Sequence, residues 1–149
     1  MTIQEYLERI ETLNKAENLD RDSELEHIVA KIIQDCKENY FDFFLLFEKI
    51  KEAIFSINLE ITDKIARSLG LIFLNQKEIG NVCFANSDEV RLEFRQSFTT
   101  LDLLDYVFAM RYYNADLQKI PIPIDSMHFW KLVQFGKDFR INETSSPKC

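Results

Sequence analysis

The chain has 149 residues, 46% of them hydrophobic, and a formal net charge of −7 at pH 7. This length is sufficient for one domain with a buried core and too short for two domains of ordinary size. Residues 1–56 contain seven Lys and Arg against thirteen Asp and Glu, a net charge of −6, whereas residues 57–149 contain eleven against twelve. The acidic first third should repel nucleic acid, so any anionic partner would have to meet the remainder.

The N-terminal third predicts two amphipathic helices. Thr2 and Glu5 have the spacing of a capping box, and the apolar residues that follow predict a helix over residues 3–15. Ser23 and Glu26 repeat the spacing ahead of a second apolar stripe.

The helical pattern then continues through a stretch rich in Phe and Ile, at Tyr40, Phe43, Phe44, Phe47, Ile50 and Ile54. A break near Asn39 is favoured over one continuous helix, which would exceed the usual length about threefold. Residues 1–56 are therefore predicted to form an acidic helical lobe of a single domain over residues 1–141, followed by a flexible tail at residues 142–149.

A short helix and a small β element are predicted next. Asn58 is a cap candidate, and apolar residues at helical spacing end at Gly70, which predicts a helix between them and a strand at residues 71–74. Alternation then predicts a hairpin with a turn at Asn86-Ser87-Asp88 and with apolar residues at Val82, Phe84, Val90, Leu92 and Phe94. Arg91 and Arg95 would lie together on the opposite face of this hairpin.

Two helices joined by an extended connector are predicted in the C-terminal part. Thr99 and Asp102 have capping-box spacing, so a helix should begin at Thr100. Pro121 and Pro123 should hold residues 119–124 extended. Asp125 should cap a second helix that buries a broad face made of Met127, Trp130, Leu132, Val133, Phe135 and Phe139. The fold class predicted for the whole chain is α+β and mostly α-helical.

The sequence contains no recognisable set of catalytic residues. The two histidines, His27 and His128, are a hundred residues apart, and three glycines cannot form a phosphate-binding loop. Cys36, Cys83 and Cys149 have no metal or redox spacing, which favours a reducing, cytoplasmic compartment. Without a signal peptide or a long apolar run, neither secretion nor membrane insertion is expected. We expect no enzymatic activity and no cofactor or metal.

Three segments carry a resemblance to a known family: FTTLDLLDYVFA at residues 98–109, IPIPID at residues 120–125 with FWKLVQFGKDFR after it, and NLEITDKIARSLGLIF at residues 58–73. Together they resemble the C-terminal target-recognition region of type ISP single-chain restriction-modification enzymes, which are adenine-specific DNA methyltransferases. Trp130, Leu132, Gly136 and Arg140 lie at corresponding places. The resemblance covers about residues 58–141 and implies DNA recognition without methyl transfer, because the Gly-rich cofactor motif and the Asn-Pro-Pro-Tyr pocket are missing. The family's longer insertion is also missing, and only residues 110–119 fill that gap.

Two functions follow as hypotheses. The first is a non-catalytic binding protein of the restriction-modification type whose partner is double-stranded DNA or a methyltransferase. Its candidate phosphate contacts are Arg91, Arg95, Arg111, Lys131 and Arg140. The alternative is a small acidic helical interaction module of the antitoxin, immunity or anti-restriction type. Its negative face would be formed by Glu5, Glu8, Glu11, Glu24, Glu26 and Glu38.

Overall fold

A computed structural model describes residues 3–12, 23–51, 54–74, 96–114 and 117–143. The helices are α1 (Ile3–Glu11), α2 (Ser23–Asp35), α3 (Leu59–Leu69), α4 (Thr100–Tyr113) and α5 (Ser126–Glu143). The strands are β1 (Tyr40–Asp42), β2 (Phe47–Lys51), β3 (Ile54–Ile57), β4 (Ile72–Leu74), β5 (Ser97–Thr99) and β6 (Lys119–Pro121), with a 3₁₀ turn at Phe43–Leu45. The fold is α+β and mostly helical, as the sequence predicts. Within these ranges, no helix combines the length and the apolar character needed to cross a bilayer.

Helix α4 lies at the centre of the core. Every residue from 102 to 113 is buried, so the helix is covered on all sides rather than along one stripe. Its most extensive contact is with α5. Aromatic rings fill the interface: Phe108 lies 4.4 Å from Phe139, and Tyr112 lies 5.0 Å from Phe135, between ring centroids. Tyr112 is thus used in packing at the end of the helix.

The predicted helix boundaries are confirmed where a polar side chain binds the first backbone amides. The hydroxyl of Thr99 accepts a hydrogen bond from the backbone amide of Asp102. The carboxylate of Asp102 in turn accepts one from the backbone amide of Thr99. Asp125 Oδ1 accepts from the amide of Met127 at 2.8 Å, which caps α5. Asn58 caps α3, and Gly70 ends it with φ of 69°.

The proline connector is extended, as predicted, and it is held by strand pairing. Strand β6 pairs antiparallel with β1, with Tyr40 opposite Pro121. The amide of Ile122 donates to the carbonyl of Asn39 at 2.9 Å, and the hydroxyl of Tyr106 donates to the carbonyl of Pro121 at 2.6 Å. The connector therefore joins α4 and α5 as a fixed element of the core.

The prediction of helix over residues 40–54 is wrong. The expected break is present, because α2 ends at Asp35 and Lys37 adopts a left-handed φ of 56°. Beyond it the chain forms β1, the 3₁₀ turn and the antiparallel pair of β2 and β3, in which Phe47 lies opposite Ile57. Aromatic and β-branched residues favour strands, and pairing with a distant strand overrides a spacing that also suits a helix. The first 56 residues are thus not an all-helical lobe.

The predicted β element is only partly described. The strand expected at residues 71–74 is present as β4, but it pairs parallel with β5. The hairpin predicted around Asn86-Ser87-Asp88 lies outside the described residues. Helix α1 ends at Glu11, ahead of the predicted residue 15, and α5 continues to Glu143, into the segment predicted to be a tail.

Candidate binding surfaces

A buried polar network ties α1, α4 and α5 together. Asp105 of α4 accepts hydrogen bonds from Arg140 Nε at Oδ1 and from Arg140 Nη2 at Oδ2, both at 3.2 Å. The hydroxyl of Tyr6 donates to Oδ1 of the same carboxylate at 2.5 Å. Gly136, one turn before Arg140, lies so close that an added Cβ would be 2.3 Å from the carbonyl oxygen of Asp105. Because Gly136 has no side chain, α5 can approach α4 closely.

Burial governs the electrostatics of this network. It raises the pKa of Asp105 to about 6, because the loss of water outweighs the opposing effects of Arg140 and the Tyr6 hydroxyl. Burial and the charge of Asp105 also raise the pKa of Tyr6. At neutral pH the carboxylate is mostly ionised and paired with Arg140. With all three side chains buried, the network has a structural role and offers no surface to a substrate.

Arg111 is a second buried cation, with 8% of its surface exposed. Its Nε donates to the carbonyl of Ile10 at 3.3 Å, and its Nη1 donates to the carbonyl of Leu117 at 2.6 Å. The guanidinium carbon lies 5.1 Å from the centroid of the Phe43 ring. Arg111 thus joins the end of α1 to the segment that follows α4.

These positions correct the set of phosphate contacts expected from sequence. Arg111 and Arg140 are buried and satisfied inside the protein, so neither can reach a phosphate from this arrangement. Lys131 is exposed on α5, but its Nζ lies 2.8 Å from Oε1 of Glu24, and this hydrogen bond raises the pKa of Lys131. Arg91 and Arg95 lie outside the described residues. Of the three candidate cations that the structure describes, only Lys131 is therefore exposed.

The six acidic residues of the alternative hypothesis are exposed. Glu5, Glu8 and Glu11 lie on α1, Glu24 and Glu26 lie on α2, and Glu38 follows α2. Helix α1 is anchored on its other side by the buried Tyr6 and Ile10. Glu24 is paired with Lys131 rather than directed to a partner. A single negative face formed by both helices remains a prediction.

The exposed large hydrophobic residues provide a different candidate surface. Five lie between residues 44 and 74, with exposed fractions of 58% for Phe44, 63% for Leu45, 54% for Leu59, 63% for Ile72 and 49% for Leu74. We call these five residues the apolar band. Leu59 and Ile72 line one groove between α3 and β4, and the backbone of Leu45 is held at the start of α3, because Asn58 Nδ2 donates to its carbonyl at 3.2 Å.

A second cleft, of about 410 Å³, lies where α2, α3 and the start of α5 meet. Its polar side chains largely contact one another: Lys31 lies 3.3 Å from Asp35, and His128 Nδ1 lies 3.8 Å from Asp125 Oδ2. Such pairing gives little net attraction for a charged ligand. In the described ranges, moreover, no three potential metal ligands of the His, Cys, Asp or Glu type are grouped.

Comparison of the chain with protein-family models, with curated proteins and with solved structures found no match. The candidate sites therefore follow from the geometry. Sequence reasoning missed Asp105, although a carboxylate in the middle of an apolar helical run is a signal for a buried partner. It also missed the apolar band, because the sequence does not show that Phe44 and Leu59 are exposed in the fold.

Proposed function

We propose that the chain is a non-catalytic binding protein of the restriction-modification type that acts through a protein partner, such as a methyltransferase, rather than by contacting DNA. The observation that carries the proposal is the apolar band. Large exposed hydrophobic residues around a groove, such as Leu59 and Ile72, are a common mark of a protein interface. Binding to DNA instead requires cations that are free to replace the counterions of phosphates.

The placement of the cations supports a protein partner. Among the described candidates, Arg111 and Arg140 have internal partners and Lys131 has Glu24. The chain as a whole carries a charge of −7, so long-range electrostatics would slow the approach of DNA and speed that of a basic protein.

The residues that carry the family resemblance support the same reading. Tyr106 binds the Pro121 carbonyl, and Arg140 binds Asp105 beside Gly136. All of these residues hold the helix, the connector and the next helix together. A shared motif of this kind indicates a shared scaffold, and a shared scaffold does not imply a shared DNA-contact surface.

A titration of labelled duplex DNA at about 50 mM and about 200 mM salt tests the proposal. We expect no saturable binding at micromolar protein, even at the lower salt concentration. Micromolar binding that weakens steeply with salt would overturn the choice of a protein partner.

Paired variants would then locate the DNA site. Arg91→Ala with Arg95→Ala removes the two candidate cations whose positions the structure does not describe. Lys64→Ala with Arg67→Ala is the matched control, because it removes two exposed cations from α3. Loss of DNA binding in the first pair alone would establish the DNA-recognition hypothesis in place of ours.

The acidic interaction module remains a second candidate, because the carboxylates of α1 are exposed at a spacing of three residues. It differs from the leading proposal in the surface that meets the partner. Charge reversal by Glu5→Lys with Glu8→Lys should abolish binding to a basic partner only if α1 forms the contact.

A further inference from the structure

We propose that the groove between α3 and β4 binds a basic amphipathic helix of a partner protein. This inference rests on the proposed function and adds the surface and the chemistry of the partner. The groove is shallow, with a volume of about 670 Å³. Its apolar lining consists of Leu59, Ala66, Leu71, Ile72 and Phe73.

The floor of the groove is fixed by the core. Phe73 packs 5.3 Å from Phe98, and Phe98 packs 5.8 Å from Phe129 at the start of α5, between ring centroids. Above this floor, Leu59 and Ile72 are more than half exposed. A partner that covers these two side chains gains free energy from burying them, and the backbone beneath them is already ordered.

The shape suits a helix. The eleven residues of α3 form one wall and span about 16 Å, which is the length of three turns of a partner helix. A helix that lies in a groove presents apolar side chains at positions i, i+3, i+4 and i+7. Leu45, next to Asn58 at the start of α3, extends the apolar surface beyond the groove.

The charges select a basic partner. Of the described residues that line the groove, two are charged, and both are acidic: Glu60 and Asp63. Asp63 also forms an exposed ion pair of 3.0 Å with Arg67, one turn away on α3. Because Arg67 already pairs with Asp63, the main acidic contact that the groove offers is Glu60. Lys and Arg side chains on the partner can lay their apolar stems along the floor and reach this carboxylate. A second copy of this chain would bring further negative charge to the same place.

The probe is a synthetic helical peptide of about 18 residues, or about five helical turns, made of Leu at the contact positions and Lys elsewhere. A scrambled peptide of the same composition serves as a control, because it keeps the charge and loses the apolar face. Affinity is measured by isothermal titration, and the site is mapped by amide shifts in NMR spectra. We expect the helical peptide to bind at micromolar concentration, to shift the amides of α3 and β4, and to bind far better than the scrambled peptide.

Variants test each part of the groove. Leu59→Ser with Ile72→Thr should weaken binding about tenfold or more, because two apolar contacts are lost. Glu60→Gln with Asp63→Asn should weaken binding and flatten its dependence on salt. The matched control is Ile124→Thr with Met127→Ser, which makes polar one exposed apolar residue just before α5 and one in its first turn, and should leave binding unchanged. Each variant must keep the unfolding midpoint of the parent.

Four results would overturn the inference. They are equal affinity for the scrambled peptide, no binding of either peptide, unchanged binding in the Leu59 and Ile72 variant, and a dimer of the parent that this variant abolishes. The last result would assign the groove to a second copy of the chain. All four results can be distinguished from the outcome of the DNA titration. Binding of DNA would refute the proposed function. If the chain binds neither DNA nor the peptide, only the site proposed in this subsection is refuted.

Discussion

The helix pair and the segment from residue 40 to residue 74 differ in how many large apolar side chains they leave exposed. In α4, α5 and the connector between them, rings such as Phe108 and Phe129 are fully buried, and the carboxylate of Asp105 has three hydrogen bonds. The segment before them leaves the five residues of the apolar band exposed. Among the described residues, folding thus leaves five large apolar side chains exposed in this region, against two, Ile124 and Met127, in the helix pair and its connector.

This difference separates stability from binding. A substitution inside the helix pair should lower the free energy of unfolding, because it opens a packed interface or leaves a charge without a partner. A substitution in the apolar band should leave that free energy nearly unchanged and should affect binding. The predictions below test this division, starting from the largest expected effect.

Removal of the buried cation should have the largest effect. Arg140→Met keeps most of the side-chain volume and leaves Asp105 without its ion pair, which should cost about 3–5 kcal/mol of unfolding free energy at pH 8. Urea denaturation measures the loss. Lys131→Met is the control, because it removes an exposed cation from the same helix and should not change the midpoint. Similar losses of unfolding free energy in both variants would mean that the ion pair of Asp105 with Arg140 is not what makes Arg140 important for stability.

The raised pKa of Asp105 predicts a pH dependence. Burial raises this pKa from 3.8 to about 6, so between these values the folded state keeps a proton that the unfolded state releases. The stability due to this carboxyl is therefore complete below about pH 4 and falls by about 3 kcal/mol as the pH rises through 6. Asp105→Asn lacks this titration, so the advantage of the parent over the variant should shrink between pH 4 and pH 7. An advantage that grows with pH would mean that Arg140 outweighs burial.

The close contact of the helices gives a third prediction. Gly136→Ala places a Cβ 2.3 Å from a backbone oxygen of α4, so the helices must separate, at a cost of about 2 kcal/mol in the free energy of unfolding. Gly70→Ala is the control, because an added Cβ there meets no atom within 4 Å. Only the positive φ should matter at Gly70, at about 1 kcal/mol. Denaturation curves for both variants show which loses more unfolding free energy. A larger loss in Gly70→Ala would contradict tight packing at Gly136.

The parts of the fold that the sequence predicts are those with local causes. A cap such as Asn58 or Asp125 acts on amides two or three residues away, and a proline acts on its own φ and on the residue before it. The two caps and the proline depend only on residues close to them in the sequence. This is why the limits of α3, the first residues of α4 and α5, and the extended connector could be predicted from the sequence.

The errors have long-range causes. Tyr40 belongs to a strand because it pairs with Pro121, and nothing near Tyr40 encodes that partner. The prediction that Arg140 contacts DNA is wrong for a similar reason, since its partner Asp105 lies 35 residues away and meets it only when α4 and α5 pack. Spacing along one helix cannot show which face the next helix covers. The apolar band has the same origin, because exposure is a property of the whole fold.

The smallest expected effect on stability belongs to the apolar band. Leu59→Ser with Ile72→Thr replaces two side chains that are more than half exposed, so the free energy of unfolding should change by no more than about 0.5 kcal/mol. Urea denaturation beside the Ile124 and Met127 control pair measures this. A loss above about 2 kcal/mol would show that the chain itself buries these side chains, because only burial makes truncation so costly. The groove would then belong to the core, and the contrast between the two regions would no longer hold.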